Sequence, residues 1–517
     1  MRRAQQVFHL HPTGWESDPE EERFPLSTLD YLSALNWTNY ALFFRLEDAG
    51  KSRAVDVLKE GIARTLAQVR HCCATIERDA VGSGYSFVKK RGSTVRFVVQ
   101  WLDSATDANK YPSLHDLEAS HFRVGDRSIW GISDLLHGYG RPEAQPDRSP
   151  EVAGFQANLV RGGLVLNIHL HHYANDILGF AGFAHQLAEN CHAIVHSTPF
   201  PPWDPACLDV SRFTRPEPAE SEKVDSPPQP GRHPGHLDAQ WLQFHLPRSK
   251  AAELKRLAWP AGGEDGSWIS TYDAFVAFMW RTFSRVRAPV FKPDMASSLF
   301  WVEAVDMRRR VHNPGVHPRT QHNVMAGASS LIAPVPQPTA AQVICEWPYP
   351  RLAQHIRQMT NSVTQEALGK MLDAVARFHD KTTINIRADS KPPMSMVVTD
   401  HRDTNIAGAD FGFARPITYR HLSNNVDVPV GIVIVYPPRG SDTGSDEGSE
   451  FAVSFETSLT QALISDPEWC KYFEFRGVDG LDVHVSSPSG VGAVEMCTRQ
   501  DAGLIAKDGN VIEIECQ

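Results

Sequence analysis

No stretch of this 517-residue chain stays apolar for the ~20 residues that a bilayer crossing requires, so no membrane span is expected. Met1-Arg2-Arg3-Ala4-Gln5-Gln6 is followed by no apolar h-region, which argues against a secretory signal. Cysteine is scarce. The eight residues are Cys72, Cys73, Cys191, Cys207, Cys345, Cys470, Cys497 and Cys516, and no two form a C-x-x-C pair. That excludes the zinc modules and the thioredoxin-like motif built on this spacing. Cys72 and Cys73 are adjacent and cannot readily bridge each other. Free thiols in a reducing cytoplasm are therefore expected. Basic charge is also in deficit, with a net charge of −10. Such a surface repels nucleic acid and the anionic membrane face. A local basic pocket can still hold a small anion. No Gly-rich phosphate loop follows a strand.

What remains is the composition of an ordinary globular protein, 42% hydrophobic and 22% charged. The length exceeds one compact core and points to two domains, in a chain expected to be a monomer. A proline-rich stretch (PFPPWDP, RPEPAE, SPPQPGRHPG) breaks the periodic pattern near the middle. Residues 1–196 are read as a first domain, 197–240 as a crossover linker and 241–517 as a second domain. Both domains mix strand and helix signals. Tyr40 to Leu46 and Val95 to Trp101 read as strands, and Val55, Leu58, Ile62, Leu66 and Val69 as one helix face. In the second domain Thr271 to Val286 reads as a helix, Met396 to Thr399 as a strand, and Val430 to Tyr436 with Phe451 to Phe455 as a hairpin.

The chemistry concentrates where a strand meets a helix. Leu164, Leu166, Ile168 and Leu170 share one strand face; Val165, Asn167, His169 and His171 share the other. The strand runs into His171-His172-Tyr173-Ala174-Asn175-Asp176, and a helical pattern follows from Ile177. A histidine at such a junction can project into a cleft, and its ordinary pKa of ~6.5 suits proton abstraction. His169 and His171 face the same way, as in zinc sites built from His-x-His, or they are polar residues of a half-buried strand. No third ligand is evident, so no metal is expected.

Far downstream stands Asp410-Phe411-Gly412-Phe413-Ala414-Arg415-Pro416. Together with His172 and Asp176 it resembles the HxxxD and DFGWG signatures of the BAHD acyltransferases, most of all the fungal branch that includes trichothecene 3-O-acetyltransferase. Leu26-Ser27-Thr28-Leu29-Asp30 resembles that family's LSxxD. Ser270-Thr271-Tyr272-Asp273-Ala274 through Trp280-Arg281 resembles its ST-x-[DE]-A…WR helix, and Val305-Asp306-Met307-Arg308-Arg309-Arg310 its VDxRxR strand, with Asn323 at the later YxGN position. Phe413-Ala414 replaces the usual Trp-Gly, and His401 stands where many plant members carry tryptophan.

The resemblance implies two chloramphenicol acetyltransferase-like α/β domains, each a mixed sheet with packed helices. It implies an acyltransferase of class EC 2.3.1 that uses acetyl-CoA or another acyl-CoA as co-substrate and a small-molecule alcohol, a fungal secondary metabolite, as acceptor. No permanently bound cofactor is implied. The second histidine, His172, would be the general base, although exchange with His171 stays testable. Asp176 would pair with Arg308 and hold geometry, as would Asp410 and Gly412. Thr399 would serve the oxyanion. His401 and Phe413 would line the acceptor pocket. Ser270 and Thr271, at a helix N-terminus with free N–H groups, would receive a CoA phosphate with Arg415, and Lys250, Lys255 and Arg256 are further candidates. Two alternatives remain: a condensation-domain-like enzyme fed by a carrier-bound acyl group, whose HHxxxDG glycine is here Ile177, and a non-catalytic binding protein of the same fold.

Overall fold

Strand β8, Gly163–His171, is buried on both faces. Its leucines and Ile168 point into the main core of the first domain. The other face, with Asn167, His169 and His171, is equally closed to solvent. Val165 on that face packs with Phe43, Leu114, Leu117 and Phe122, which turns the expected half-buried strand into an interior one. The computed structural model describes residues 5–479 except 81, 105, 107–108, 124–141, 260–267, 331–334, 385, 423–427 and 441–445. The tail beyond Asp479 and residues 441–445 of the Gly440–Ser449 loop lie outside the described residues.

Around β8 the first sheet runs β1-β6-β7-β8-β3-β13. Its other strands are β1 Gln5–Leu10, β3 Trp37–Arg45, β6 Val95–Trp101, β7 Ala153–Val160 and β13 Pro416–His421. Only β6 and β7 pair in parallel. β13 comes from the second half of the chain and adds to the outer side of β3. Helices Lys51–Gln68 and Ile177–His196 cover one face through Leu58, Ile62, Leu66, Phe180, Phe183 and Leu187. A small antiparallel sheet of β2 Glu21–Pro25, β4 Thr75–Arg78 and β5 Tyr85–Lys90 lies beside it.

The second sheet has the order β11-β10-β12-β14-β15-β9-β16. These are β9 Ala239–Leu246, β10 Trp301–Asp306, β11 Met325–Ser329, β12 Met396–Asp400, β14 Ile432–Tyr436, β15 Ser449–Glu456 and β16 Glu474–Asp479. β12 runs parallel to both β10 and β14. One face carries Leu242, Phe244, Val398, Val433, Phe451 and Val453 into a core closed by helices Thr271–Phe291 and Tyr349–Asn361. The opposite face sends Trp241, Ile434, Tyr436 and Ala452 into the core of the first domain, so the two domains share one apolar seam. The proline-rich crossover makes short turns, yet its Phe213 is buried in the second core.

Candidate active site

β8 ends at His171, and the next five residues turn the chain into the helix Ile177–His196. Two contacts fix the turn's backbone: His172 N donates to the Asn36 carbonyl at 2.9 Å, and Ala174 N to that of His171 at 2.8 Å. Asp176 caps the helix by accepting from Gly179 N at 2.8 Å. Its remaining lone pairs take Arg308 Nη1 and Nη2, both at 2.9 Å, and Val324 N at 2.7 Å. A carboxylate so fully occupied has no site left for a substrate proton. Arg308 also binds Asp306 Oδ1 at 3.0 Å and the Thr320 carbonyl at 2.8 Å. Asp176 and Arg308 are both buried and belong to different domains.

A second clamp holds the histidine from behind. Asn323 Nδ2 donates to the carbonyls of His172 at 2.8 Å and Tyr173 at 3.1 Å. Asp30 in turn accepts from Asn323 N and Nδ2 (3.0 and 3.1 Å), His322 Nδ1 (3.0 Å) and Ser27 N and Oγ (both 2.8 Å). Burial pushes the Asp30 carboxyl up, but His322 and Asn323 outweigh it and hold its pKa below the usual range. Asn175 completes the frame: its Oδ1 accepts from His322 N at 2.8 Å. His322 has a left-handed φ of 67° and stacks on His71 with 4.6 Å between ring centroids.

Within this frame His172 is partly exposed, with its Nδ1 buried, while His171 is sealed. His171 Nε2 lies 2.9 Å from the Ala144 carbonyl, and its Nδ1 accepts from Tyr173 N at 3.1 Å. Both nitrogens are thus taken, which leaves His171 no lone pair for a metal or a proton. Among the described residues no three His, Cys, Asp or Glu side chains are grouped to hold a metal ion. Burial lowers the His172 pKa below its ordinary value; its own carbonyl, Asp176, Asn323 and Asp30 oppose this in part. The ring is therefore neutral near pH 7, the form that accepts a proton.

His401 sits close enough to His172 for a charge there to disfavour its own. It follows β12 and lies in a cage of aromatic rings. Tyr419 stacks parallel at 6.2 Å, Tyr436 meets it edge-on at 5.8 Å and Tyr40 at 6.3 Å. Its Nε2 is 3.2 Å from Thr399 Oγ1. Thr399 is partly open, whereas His401 is only 3% exposed. The structure thus gathers His172, Thr399, His401, Asp176 and Arg308 into one region. The tyrosines come from β3, β13 and β14, and no sequence motif marks them.

The tail motif lies elsewhere. Phe413 packs against Phe44 and Phe411, each at 5.8 Å. Phe44 pairs with Leu164 at the end of β3 opposite Trp37, which pairs with His171. Seven residues of strand separate those ends by roughly 23 Å, and Phe413 is partly buried where it packs against the main core of the first domain. Gly412, at φ 78°, approaches His192 and Val195 near the far end of the helix that Asp176 caps. Asp410 accepts from Gly412 N at 2.8 Å and from Arg415 at 3.0 and 3.1 Å, a local loop lock.

At the start of helix Thr271–Phe291, Ser270 is occupied. Its Oγ accepts from Asp273 N at 3.1 Å, and Asp273 Oδ2 accepts from Ser270 N at 2.6 Å. Thr271 instead lines a cavity of about 590 Å³ with Arg248, Lys255, Arg256 and Trp259. Arg415 is not on its wall. Beside that helix start, Arg402 binds the neighbouring Asp400 at 2.6 Å and lies over the Tyr272 ring at 5.6 Å.

Two mixed sheets meeting along one seam, with a half-open histidine at the strand–helix junction beside it, form the architecture of a two-domain acyl-transfer enzyme. Known proteins agree. A model of the trichothecene 3-O-acetyltransferase-like N-terminal domain matches residues 37–191, and that of the Transferase family residues 134–459. Acetyltransferase FGR3 of Gibberella zeae is 58% identical over 478 residues, covering 92% of this chain and 95% of that protein. Trichothecene 3-O-acetyltransferase TRI101 of Fusarium sporotrichioides is 23% identical over 470 residues, 85% of this chain and 94% of that protein. The crystal structure of F. graminearum TRI101 complexed with coenzyme A and T-2 mycotoxin superposes with a TM-score of 0.72 at 20% identity, over 88% of this chain and all of that one. Vinorine synthase gives 0.63 at 16%, over 92% and 98%. The chain belongs to the Transferase family, the BAHD acyltransferases, and is an acyltransferase of class EC 2.3.1.

Proposed function

We propose that this enzyme transfers an acetyl group from acetyl-CoA to a hydroxyl of a small fungal secondary metabolite, in a ternary complex with His172 as general base. The observation that carries the proposal is the contrast between the two adjacent histidines. His171 is sealed with both nitrogens occupied, whereas His172 is partly exposed, has its pKa lowered by burial and is pinned by its backbone. His172 takes the acceptor's hydroxyl proton as the oxygen attacks the thioester carbon. The carbonyl oxygen becomes an oxyanion, with Thr399 as its donor. The C–S bond then breaks, and the imidazolium protonates the CoA thiolate. Alignment of the two substrates and base assistance supply the acceleration.

Thr271, Arg248, Lys255 and Arg256 are the proposed receptors for the phosphates of CoA. Their cavity is basic, and the free N–H groups at the helix start favour an anion. His401 and its tyrosines form the proposed acceptor pocket. Asp176, Arg308, Asp410 and Gly412 hold geometry without touching substrate. The division at 1–196, 197–240 and 241–517 enters the proposal with one strand, Pro416–His421, lent by the second domain to the first. A monomer in the cytoplasm completes the proposal; the six cysteines among the described residues are all free, and no helix among those residues is long and apolar enough to cross a membrane.

The test is mass spectrometry of products formed from acetyl-CoA and a panel of hydroxylated fungal metabolites. An acceptor heavier by one acetyl group supports the proposal. Turnover only with a carrier-bound acyl donor would move the assignment to condensation-type chemistry. No transfer from either donor would favour the binding-protein alternative.

A further inference from the structure

The hydrogen bond between His401 and Thr399 has a direction, and that direction decides what Thr399 can do. A threonine hydroxyl has one hydrogen. If Thr399 spends it on His401 Nε2, none is left for an oxyanion. If His401 Nε2–H donates to Thr399 Oγ1 instead, the hydroxyl hydrogen stays free for the partly open side of the residue. Two observations favour the second arrangement. His401 Nδ1 is buried and meets no hydrogen-bond partner. A proton there would be an orphaned donor inside the aromatic cage, and buried donors without partners are costly. The 3.2 Å contact to Thr399 Oγ1, by contrast, gives an Nε2 proton its partner.

We propose that His401 is the positioning residue of the oxyanion site: as a neutral Nε2–H imidazole held by Tyr40, Tyr419 and Tyr436, it donates to Thr399 Oγ1 and turns that hydroxyl's hydrogen toward the reacting carbonyl. When the acceptor oxygen bonds to the thioester carbon, the carbonyl π pair moves onto oxygen and Thr399 O–H donates to it. When the C–S bond breaks, the pair returns, and the proton held by His172 passes to the thiolate. His401 itself exchanges no proton. Burial and the nearby His172 push its pKa to about 3, so it stays neutral through the working range. The inference rests on the acetyl-transfer reading above and adds the source of Thr399's orientation.

The experiment is a double-mutant cycle on the full chain, with kcat and both KM values measured for the native enzyme and for T399V, H401F, H401Q and T399V/H401F. T399V is expected to lose about 100-fold in kcat, the scale of one oxyanion donor. H401F is expected to lose about tenfold in kcat, the scale of one neutral hydrogen bond, with both KM values within about twofold. H401Q keeps an N–H donor and recovers most of the loss. In T399V/H401F the His401 effect vanishes, because the hydroxyl it orients is gone. Additive losses, an H401Q as slow as H401F, or a rise in acceptor KM with kcat unchanged would each overturn the inference. Thermal unfolding separates a folding defect in H401F from a catalytic one, and H401Q then carries the comparison. H172A tells the two readings apart. If it keeps the native rate, the general-base reading fails; if it is inactive while T399V is not, the general-base reading stands and the Thr399 oxyanion role fails together with the present inference.

Discussion

Asp176 is acidic and lies four residues from His172, the proposed base, yet its contacts are structural. Four donors from three segments meet its two oxygens, and the Arg308 guanidinium they balance is buried. Removing one charge from a buried pair strands the other, at about 3–5 kcal/mol. D176N is therefore expected to lose about that much in urea unfolding, with activity falling because the turn beneath His172 loosens. A variant as stable as the native enzyme would assign Asp176 a different role. His172 makes a prediction of its own. The base must be neutral, and burial lowers its pKa below ~6.5. Activity is thus lost as pH falls through the lowered value, so kcat/KM should plateau through neutrality with its acid limb below pH 6.5. A limb above 7 in the free enzyme would contradict the depressed histidine.

At the scale of elements, legibility followed pattern strength. β8 and the helix Ile177–His196 carry periodic apolar faces, and the junction between them was readable as a site from residue types alone. Edge strands were not. β1 alternates between exposed and half-exposed residues, β4 has four residues, and β13 begins with a proline, so none of them presents an apolar run. Missing β13 had a cost, because it delivers Tyr419 to the cage around His401. Phe413 is illegible for the opposite reason: an aromatic residue in a family motif reads the same whether it lines a pocket or packs against a core. Gly412 shows what that motif does. Its φ is 78°, and a Cβ there would lie 2.9 Å from the His192 Cα. G412A is expected to cost about 1–3 kcal/mol while leaving the pH profile unchanged. Unfolding curves and kcat/KM against pH check both halves, and a shifted profile would tie the loop to the chemistry.

Across the whole molecule, one buried carboxylate links the two sheets. Glu450 on β15 receives Arg420 from β13 of the first sheet, Arg439, and Arg476 at 2.7 Å from β16. Burial raises its pKa, and the three guanidinium groups overcome that and hold it far below the carboxylate range. E450Q takes the counter-charge from Arg420 and Arg439 and leaves Arg476 only Glu474, at 3.7 Å. It is expected to lower stability by about 3–5 kcal/mol and to make the seam between the domains more open to limited proteolysis. An unchanged proteolysis pattern would show that the apolar contacts of Trp241, Ile434, Tyr436 and Ala452 suffice to hold the domains together.

The central claim concerns a single proton. CoA-thiol release from acetyl-CoA, with an acceptor identified by product mass, should be compared between the native chain and H172A. The account predicts a loss of about 10²- to 10⁴-fold in the variant, the range of general-base assistance, with thermal unfolding unchanged. Equal rates of thiol release from the two proteins would contradict it, and His172 would not be the base.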